Sequence, residues 1–347
     1  MRILLALHRY VALAALPLFV VVGVTGSALV LRAPFEDLMH PERRLGTPHS
    51  GVQYQKVLDA ASARVPHASA WRINPPTDEL RAAQVLAEGP AEVLLWVHPS
   101  TGAVISAGAV AAYPMDALLE LHMELPAGPA GKIAMLVGGI AMLLMVPTGL
   151  LLWWPRKLKM AWRYRLSATG VGFHYELHRL TGILAMPALL AASATGVLLM
   201  YPEVTMHAIQ GTSAPTARAK PPGRLPPAMD LDRIVAEAVR ALPPGQVTRV
   251  VVPANGAAVV VRMKTRDEDH PNGLNIATVD PASASILSAV PATRAAASIR
   301  VWEVVYPLHI GSTYGAANRV VMFLAGLVPL LLGITGLRLW WRRRSKA

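Results

Sequence analysis

The chain has 347 residues, of which 53% are hydrophobic and only 16% charged, and its formal net charge is +12. So few charges beside so much apolar side chain exclude an ordinary soluble domain and point to a membrane protein. The absence of cysteine excludes disulfides, a c-type haem attached through C-x-x-C-H, and thiolate-held iron–sulfur clusters.

Uncharged stretches run from Val11 to Leu31, Ile133 to Trp154, Leu180 to Tyr201 and Val320 to Leu337. A spanning helix needs roughly 20 such residues, about 17 at the least, so four spans are expected. The first transmembrane helix is placed at 1–31. A cleaved signal peptide is its rival, because Gly26 and Ala28 offer small residues at a cleavage spacing, but the same pattern recurs inside the chain.

A first extracytoplasmic module follows at 32–131. In it Tyr54 to Val65 reads as an amphipathic helix, and strand-like alternation leads to Glu92–Gly102. A short surface helix is expected from Asp116 to Glu124, ahead of Pro126 and Pro129. The second span, 132–154, leads into a loop at 155–173 holding Arg156, Lys157, Lys159, Arg163 and Arg165. The third span is 174–201 and a second module occupies 202–308. That module opens with a Pro- and Ala-rich linker, Gly211 to Met229. It continues with a helix from Leu231 to Leu242, strand signals over Val247 to Met263, and the run Ile276 to Ala284. The fourth span is 309–341, ahead of a basic tail at 342–347 with Arg342, Arg343, Arg344 and Lys346. Basic clusters beside apolar spans follow the positive-inside rule, which puts both termini and the 155–173 loop in the cytoplasm. The net charge is thereby accounted for by membrane topology and lipid, and no nucleic-acid partner is expected.

The spans repeat. Leu7, His8, Arg9, Pro17, Thr25 and Gly26 recur as Leu177, His178, Arg179, Pro187, Thr195 and Gly196, at a constant offset of 170 (8 to 178). Leu121, His122, Thr148, Gly149, Trp153 and Trp154 recur as Leu308, His309, Thr335, Gly336, Trp340 and Trp341, at an offset of 187 (122 to 309). The fold class expected is therefore a membrane α-helical protein: four transmembrane helices arranged as a duplicated two-helix unit, with two extracytoplasmic α+β modules.

Duplication turns single imidazoles into opposed pairs. His8 with His178 on the cytoplasmic side, and His122 with His309 on the outer side, are natural axial couples for two non-covalently held b haems. Thr25 and Gly26 lie 17 and 18 residues beyond His8, about 27 Å along a helix, near the outer level; Gly149 and Gly336 come near the inner one. Two uses for these glycines stay open, approach of a porphyrin edge and close helix packing. His174, one turn before His178, ranks second as a ligand or a neighbour of one; His40 and His207 form a further candidate pair. His49, His67, His98 and His270 are read as solvated or hydrogen-bonded. Trp71, Tyr113, Trp302, Tyr306 and Tyr314 are outer-side aromatics, read as interfacial anchors ahead of chelate contacts.

The L-H-R openings with a distal T-G, the L-H starts with a later T-G-L and the W-W-x-R finish resemble the PepSY-associated transmembrane proteins over nearly the whole chain. His98-Pro99-Ser100-Thr101-Gly102 fits a turn that closes a PepSY-like module. In the second module Asp280-Pro281 is kept, but Ser283-Ala284 stands where Thr-Gly is expected. The resemblance implies a diheme oxidoreductase of the bacterial inner membrane that passes electrons from the cytoplasmic side to a periplasmic ferric-siderophore, releasing Fe(II). Its cytoplasmic segments are too short to fold around a flavin, so the electron donor is expected to be a separate cytoplasmic partner or quinol. Two rivals remain: a non-redox PepSY anchor that regulates a protease or binds peptides, and a diheme cytochrome b serving another periplasmic acceptor.

Overall fold

A computed structural model describes residues 1–154, 170–201, 205, 229–295 and 297–344. The basic 155–169 segment, the 206–228 segment with His207 and nearly all of the linker, and the side chain of Trp302 lie outside the described residues. The helices, in chain order, are α1 (Arg2–Val30), α2 (Arg32–Met39), α3 (Tyr54–Arg64), α4 (Pro114–Met123), α5 (Gly128–Trp153), α6 (Val171–Met200), α7 (Leu231–Ala241), α8 (Ala297–Ile310) and α9 (Ala316–Arg344). Two compact units result: Met1–Arg32, Leu118–Thr205 and Val305–Ala347 form one, and Ala33–Ala117 with Met206–Val304 the other.

In the first unit α1, α5, α6 and α9 are each long and apolar enough to cross a membrane. Helix α1 packs on α5 and α9, and α6 packs on the same two, closing a four-helix ring. Lipid tails are as apolar as leucine, so such helices are held by close packing and internal hydrogen bonds. At Gly23 and Gly326 the backbones of α1 and α9 meet so tightly that a Cβ on either would strike the other helix, and Ser27 donates to the Phe323 carbonyl at 2.7 Å.

The second unit is built on one antiparallel sheet. Its strands are β1 (Ala70–Asn74), β2 (Ala83–Glu88), β3 (Val93–Val97), β4 (Val104–Ala109), β5 (Gln246–Pro253), β6 (Val259–Lys264), β7 (Asn275–Val279) and β8 (Ile286–Val290). They run in the order β4-β3-β2-β1-β5-β6-β7-β8. The expected strands of both segments thus share a single sheet, joined where β1 pairs with β5, Ile73 opposite Val250. Alternation decides the faces: Ala83, Val85 and Ala87 in β2 and Val259, Val261 and Met263 in β6 are buried. They pack with Val57, Leu58 and Ala61 of α3 and Leu231, Ile234 and Ala238 of α7 in one core.

The two helices also cap one another. Asp232 of α7 accepts from the backbone N–H of Tyr54 at 2.7 Å and of Gln55 at 3.3 Å, and the Gln55 side chain accepts from Leu231 N–H at 2.8 Å. Each helix thereby supplies acceptors for the orphan donors of the other's first turn.

The departure at Ser283-Ala284 keeps the turn. Gly102 has φ +75° and Ala284 φ +57°, while His98 Nδ1 and Asp280 Oδ1 occupy matching roles as acceptors of the N–H groups two and three residues on. An alanine accepts the left-handed conformation that glycine adopts without strain.

Candidate functional site

Helix α1 carries His8 near one end and Thr25 near the other, 17 residues apart, or about 26 Å along the helix. Helix α6 repeats the arrangement with His178 and Thr195. The partner groups come from the other helices, and all four imidazoles are held in the same way. His8 Nδ1 lies 2.9 Å from Thr148 Oγ1 of α5, and His178 Nδ1 lies 2.9 Å from Thr335 Oγ1 of α9. His122 Nδ1, on α4, is 3.0 Å from Thr25 Oγ1, and His309 Nδ1, on α8, is 3.0 Å from Thr195 Oγ1.

Each threonine hydroxyl also reaches the carbonyl four residues back: Val21 at 2.6 Å, Leu144 at 2.9 Å, Ala191 at 2.6 Å and Leu331 at 2.9 Å. A hydroxyl has one hydrogen. Given to the helix carbonyl, as helix-borne threonines commonly do, it leaves Oγ1 to accept from Nδ1–H. At His309 a second acceptor points to the same tautomer, since Nδ1 lies 3.1 Å from the Ala192 carbonyl, which can only accept. The assignment rests on the hydrogen-bond network and leaves Nε2 as the free lone pair of every ring.

The glycine after each threonine has its own role. A Cβ on Gly26 would come within 2.9 Å of His122 Cε1, on Gly196 within 3.1 Å of His309 Cε1, on Gly149 within 3.3 Å of His8 Cε1, and on Gly336 within 3.4 Å of His178 Cε1. The Thr-Gly pairs are seats for imidazoles: the threonine orients the ring and the glycine makes room for its edge. Of the two uses left open for these glycines, close packing is the nearer, but what packs there is a histidine ring.

The rings of His122 and His309 have centroids 6.1 Å apart and planes inclined at 46°. Two imidazoles that each bind one metal at about 2 Å from opposite sides have ring centres roughly 6 Å apart. Burial, and after it the neighbouring His309, pushes the His122 imidazole down to about 4, and burial lowers His309 as well, so both rings are neutral near pH 7. His8 and His178 line one cavity of about 300 Å³ together with Gly149 and Gly336. Apart from Arg9, Arg179, Tyr175 and the indoles of Trp153 and Trp340, its walls are apolar.

Among the described residues no cluster of three or more His, Asp or Glu side chains could cage a bare ion. Two neutral imidazoles fit a metal that brings its own equatorial donors, as an iron porphyrin does.

The other candidates stand apart. His174 does not line the cavity; its Nε2 accepts from Arg338 at 3.2 Å. His40 sits in the sheet-bearing unit, 3.0 Å from Glu42 and edge-on to Tyr113. His49 and His98 accept backbone N–H groups at Nδ1. His270 is buried, and burial followed by Arg262, Lys264 and Arg249 holds it down to about 4. Two aromatics need correction as surface anchors. Trp71 is 3% exposed in the helix–sheet core, and Tyr113 is buried beneath the guanidinium of Arg43, 4.9 Å from its ring centre. Tyr314 is exposed, and Tyr306 is half-buried.

The family model described as the PepSY-associated TM region matches residues 5–343. The chain belongs to this family. A relative in Pseudomonas aeruginosa, the uncharacterized protein PA4219, is 28% identical over 260 residues, 67% of this chain. The match spans 64% of that relative's length. The family match takes in nearly the whole of the four membrane-length helices and, between them, all four threonine-seated histidines.

Proposed function

We propose that this PepSY-associated membrane protein is a diheme b-type reductase of the bacterial inner membrane, carrying electrons from the cytoplasmic side to a periplasmic ferric siderophore and releasing Fe(II). The observation that carries the reading is the 6.1 Å separation of the His122 and His309 rings, with Nδ1 of each tied to a threonine. Bound haem would supply a one-electron carrier at each of two levels.

The chain's own residues do the rest. His8 and His178 hold one group and His122 and His309 the other, in the fixed tautomer that presents Nε2. The apolar walls around His8 and His178 exclude water and favour a macrocycle. Arg342, Arg343 and Arg344 end the helix that carries Thr335, so the positive-inside rule assigns the His8–His178 level to the cytoplasmic face, with both termini there. The donor is a separate cytoplasmic partner or quinol. One electron turns Fe(III) into Fe(II), a softer ion that hard oxygen donors hold less firmly, so reduction frees the metal.

The test is the dithionite-reduced minus oxidised spectrum of the purified full chain. Two b haems per chain are expected, and His178→Ala and His309→Ala should each remove about half the signal, as separate bis-histidine sites require. A colourless protein, or spectra unchanged in both variants, would exclude the reading. Mixing the reduced protein with a ferric siderophore and trapping Fe(II) then separates this reductase from a cytochrome with another acceptor.

A further inference from the structure

The L-H-R motif occurs twice, and the seats above use only its histidine. Arg9 and Arg179 both line the cavity shared by His8 and His178. Their surroundings differ. Arg179 is paired with Glu176 at 2.7 Å, both side chains largely buried. At the offset of 170 the position matching Glu176 is Ala6, so Arg9 lacks that carboxylate.

Arg9 is only loosely held. Its Nη2 lies 3.3 Å from the hydroxyl of Tyr10, whose ring the guanidinium covers at 4.8 Å, and its Nε is buried with no acceptor among the described residues. The 155–169 segment, outside the described residues, contains no Asp or Glu to neutralise it. A second, separate donor is in the same condition: Trp153 Nε1 is buried with no acceptor among the described residues and lines the same cavity. Buried donors are nearly always satisfied, and a cation within an apolar helix bundle calls for an anion.

We infer that Arg9, assisted by Trp153, is the anion anchor of this cavity and receives a carboxylate of the ligand held by His8 and His178. Resting on the function proposed above, that ligand is haem b and the carboxylate is one of its propionates. An apolar cavity with, at its wall, a guanidinium that no carboxylate among the described residues neutralises suits a molecule with an apolar body and an acidic edge. The guanidinium is the better donor for this task, because its planar fork matches a carboxylate with two parallel hydrogen bonds. Arg179, already neutralised by Glu176, is not the anchor, so the two halves of the repeat are chemically unequal at this level.

The experiment uses the full chain carrying His309→Ala, which leaves the His8–His178 couple. It is titrated with iron protoporphyrin IX and with its dimethyl ester, following the Soret band. The parent should prefer the free acid by about tenfold, the scale of a charge-assisted hydrogen bond. Arg9→Gln should bring that preference close to unity, Arg9→Lys should keep part of it, and Arg179→Gln should leave it in place. Trp153→Phe, which removes one N–H and little volume, should lower it in part and covers the case in which Arg9→Gln does not fold. Full preference retained in Arg9→Gln, or in both Arg9→Lys and Trp153→Phe where Arg9→Gln does not fold, would overturn the anchor while leaving haem binding intact. Uptake of neither porphyrin by the parent would overturn the haem reading and the anchor together.

Discussion

At the scale of single residues the controlling feature is a hydrogen atom. Thr335 gives its own to the Leu331 carbonyl and takes that of His178 Nδ1, at 2.9 Å in each case. Such outer partners of a metal ligand typically change affinity by about 10- to 100-fold when removed. Thr335→Val, close in shape, should therefore weaken haem retention at the His178 level by that order and shift its reduction midpoint, while Thr335→Ser, which keeps the hydroxyl, restores both. A haem titration and a redox titration of the two variants check this; equal retention in valine and serine variants would deny the threonine its orienting role. The recurrence of Thr-Gly and its depth were readable from spacing alone, because rise per residue converts directly to height. What spacing does not give is azimuth. Whether Gly26 faces a porphyrin, a helix or the His122 ring depends on rotation about α1, which packing with other helices decides.

At the scale of elements, local pattern served the helices and strands well and their joining poorly. Tyr54–Arg64, Pro114–Met123 and Leu231–Ala241 fall within a residue or two of the helices expected from apolar periodicity and proline placement. The alternation in Val247–Met263 resolves into β5 and β6. The pairing of β1 with β5 joins residues about 180 positions apart, and nothing in either strand's own sequence names its neighbour. Reciprocal capping of α3 and α7 was invisible for the same reason, since Asp232 reads locally as an acidic first-turn residue of its own helix. Its carboxylate serves two backbone donors of α3. Asp232→Ala should thus destabilise the sheet-bearing unit by about 1 to 2 kcal/mol, as loss of a helix cap does. Thermal unfolding followed by far-ultraviolet circular dichroism tests it. An unchanged midpoint would show that water replaces the carboxylate at no loss.

At the scale of the whole molecule, the hydrogen bonds and the proposed cofactors bind different things together. Each of these four histidines is seated by a threonine from its own half of the chain: His8 by Thr148, His122 by Thr25, His178 by Thr335 and His309 by Thr195. Each proposed ligand couple, in contrast, draws one histidine from each half. The seats orient imidazoles within a half, and a shared metal would tie the halves to each other at two levels. Helix α1 takes part in both, with His8 at one end and the Thr25-Gly26 seat at the other, so a lesion at one end should be read out at that end alone. Gly26→Ala tests this directly, because its Cβ would come within 2.9 Å of His122 Cε1 and displace that ring. The expected result is loss of the haem signal assigned to His122 and His309, with the signal of His8 and His178 kept, although the substitution lies in the helix that bears His8. Difference spectra of Gly26→Ala in His178→Ala and His309→Ala backgrounds separate the two signals: the first should be nearly haem-free and the second should keep the signal it had. If Gly26→Ala abolished both levels, the levels would not be independent, and the division between seats within halves and metals between them would have to be abandoned.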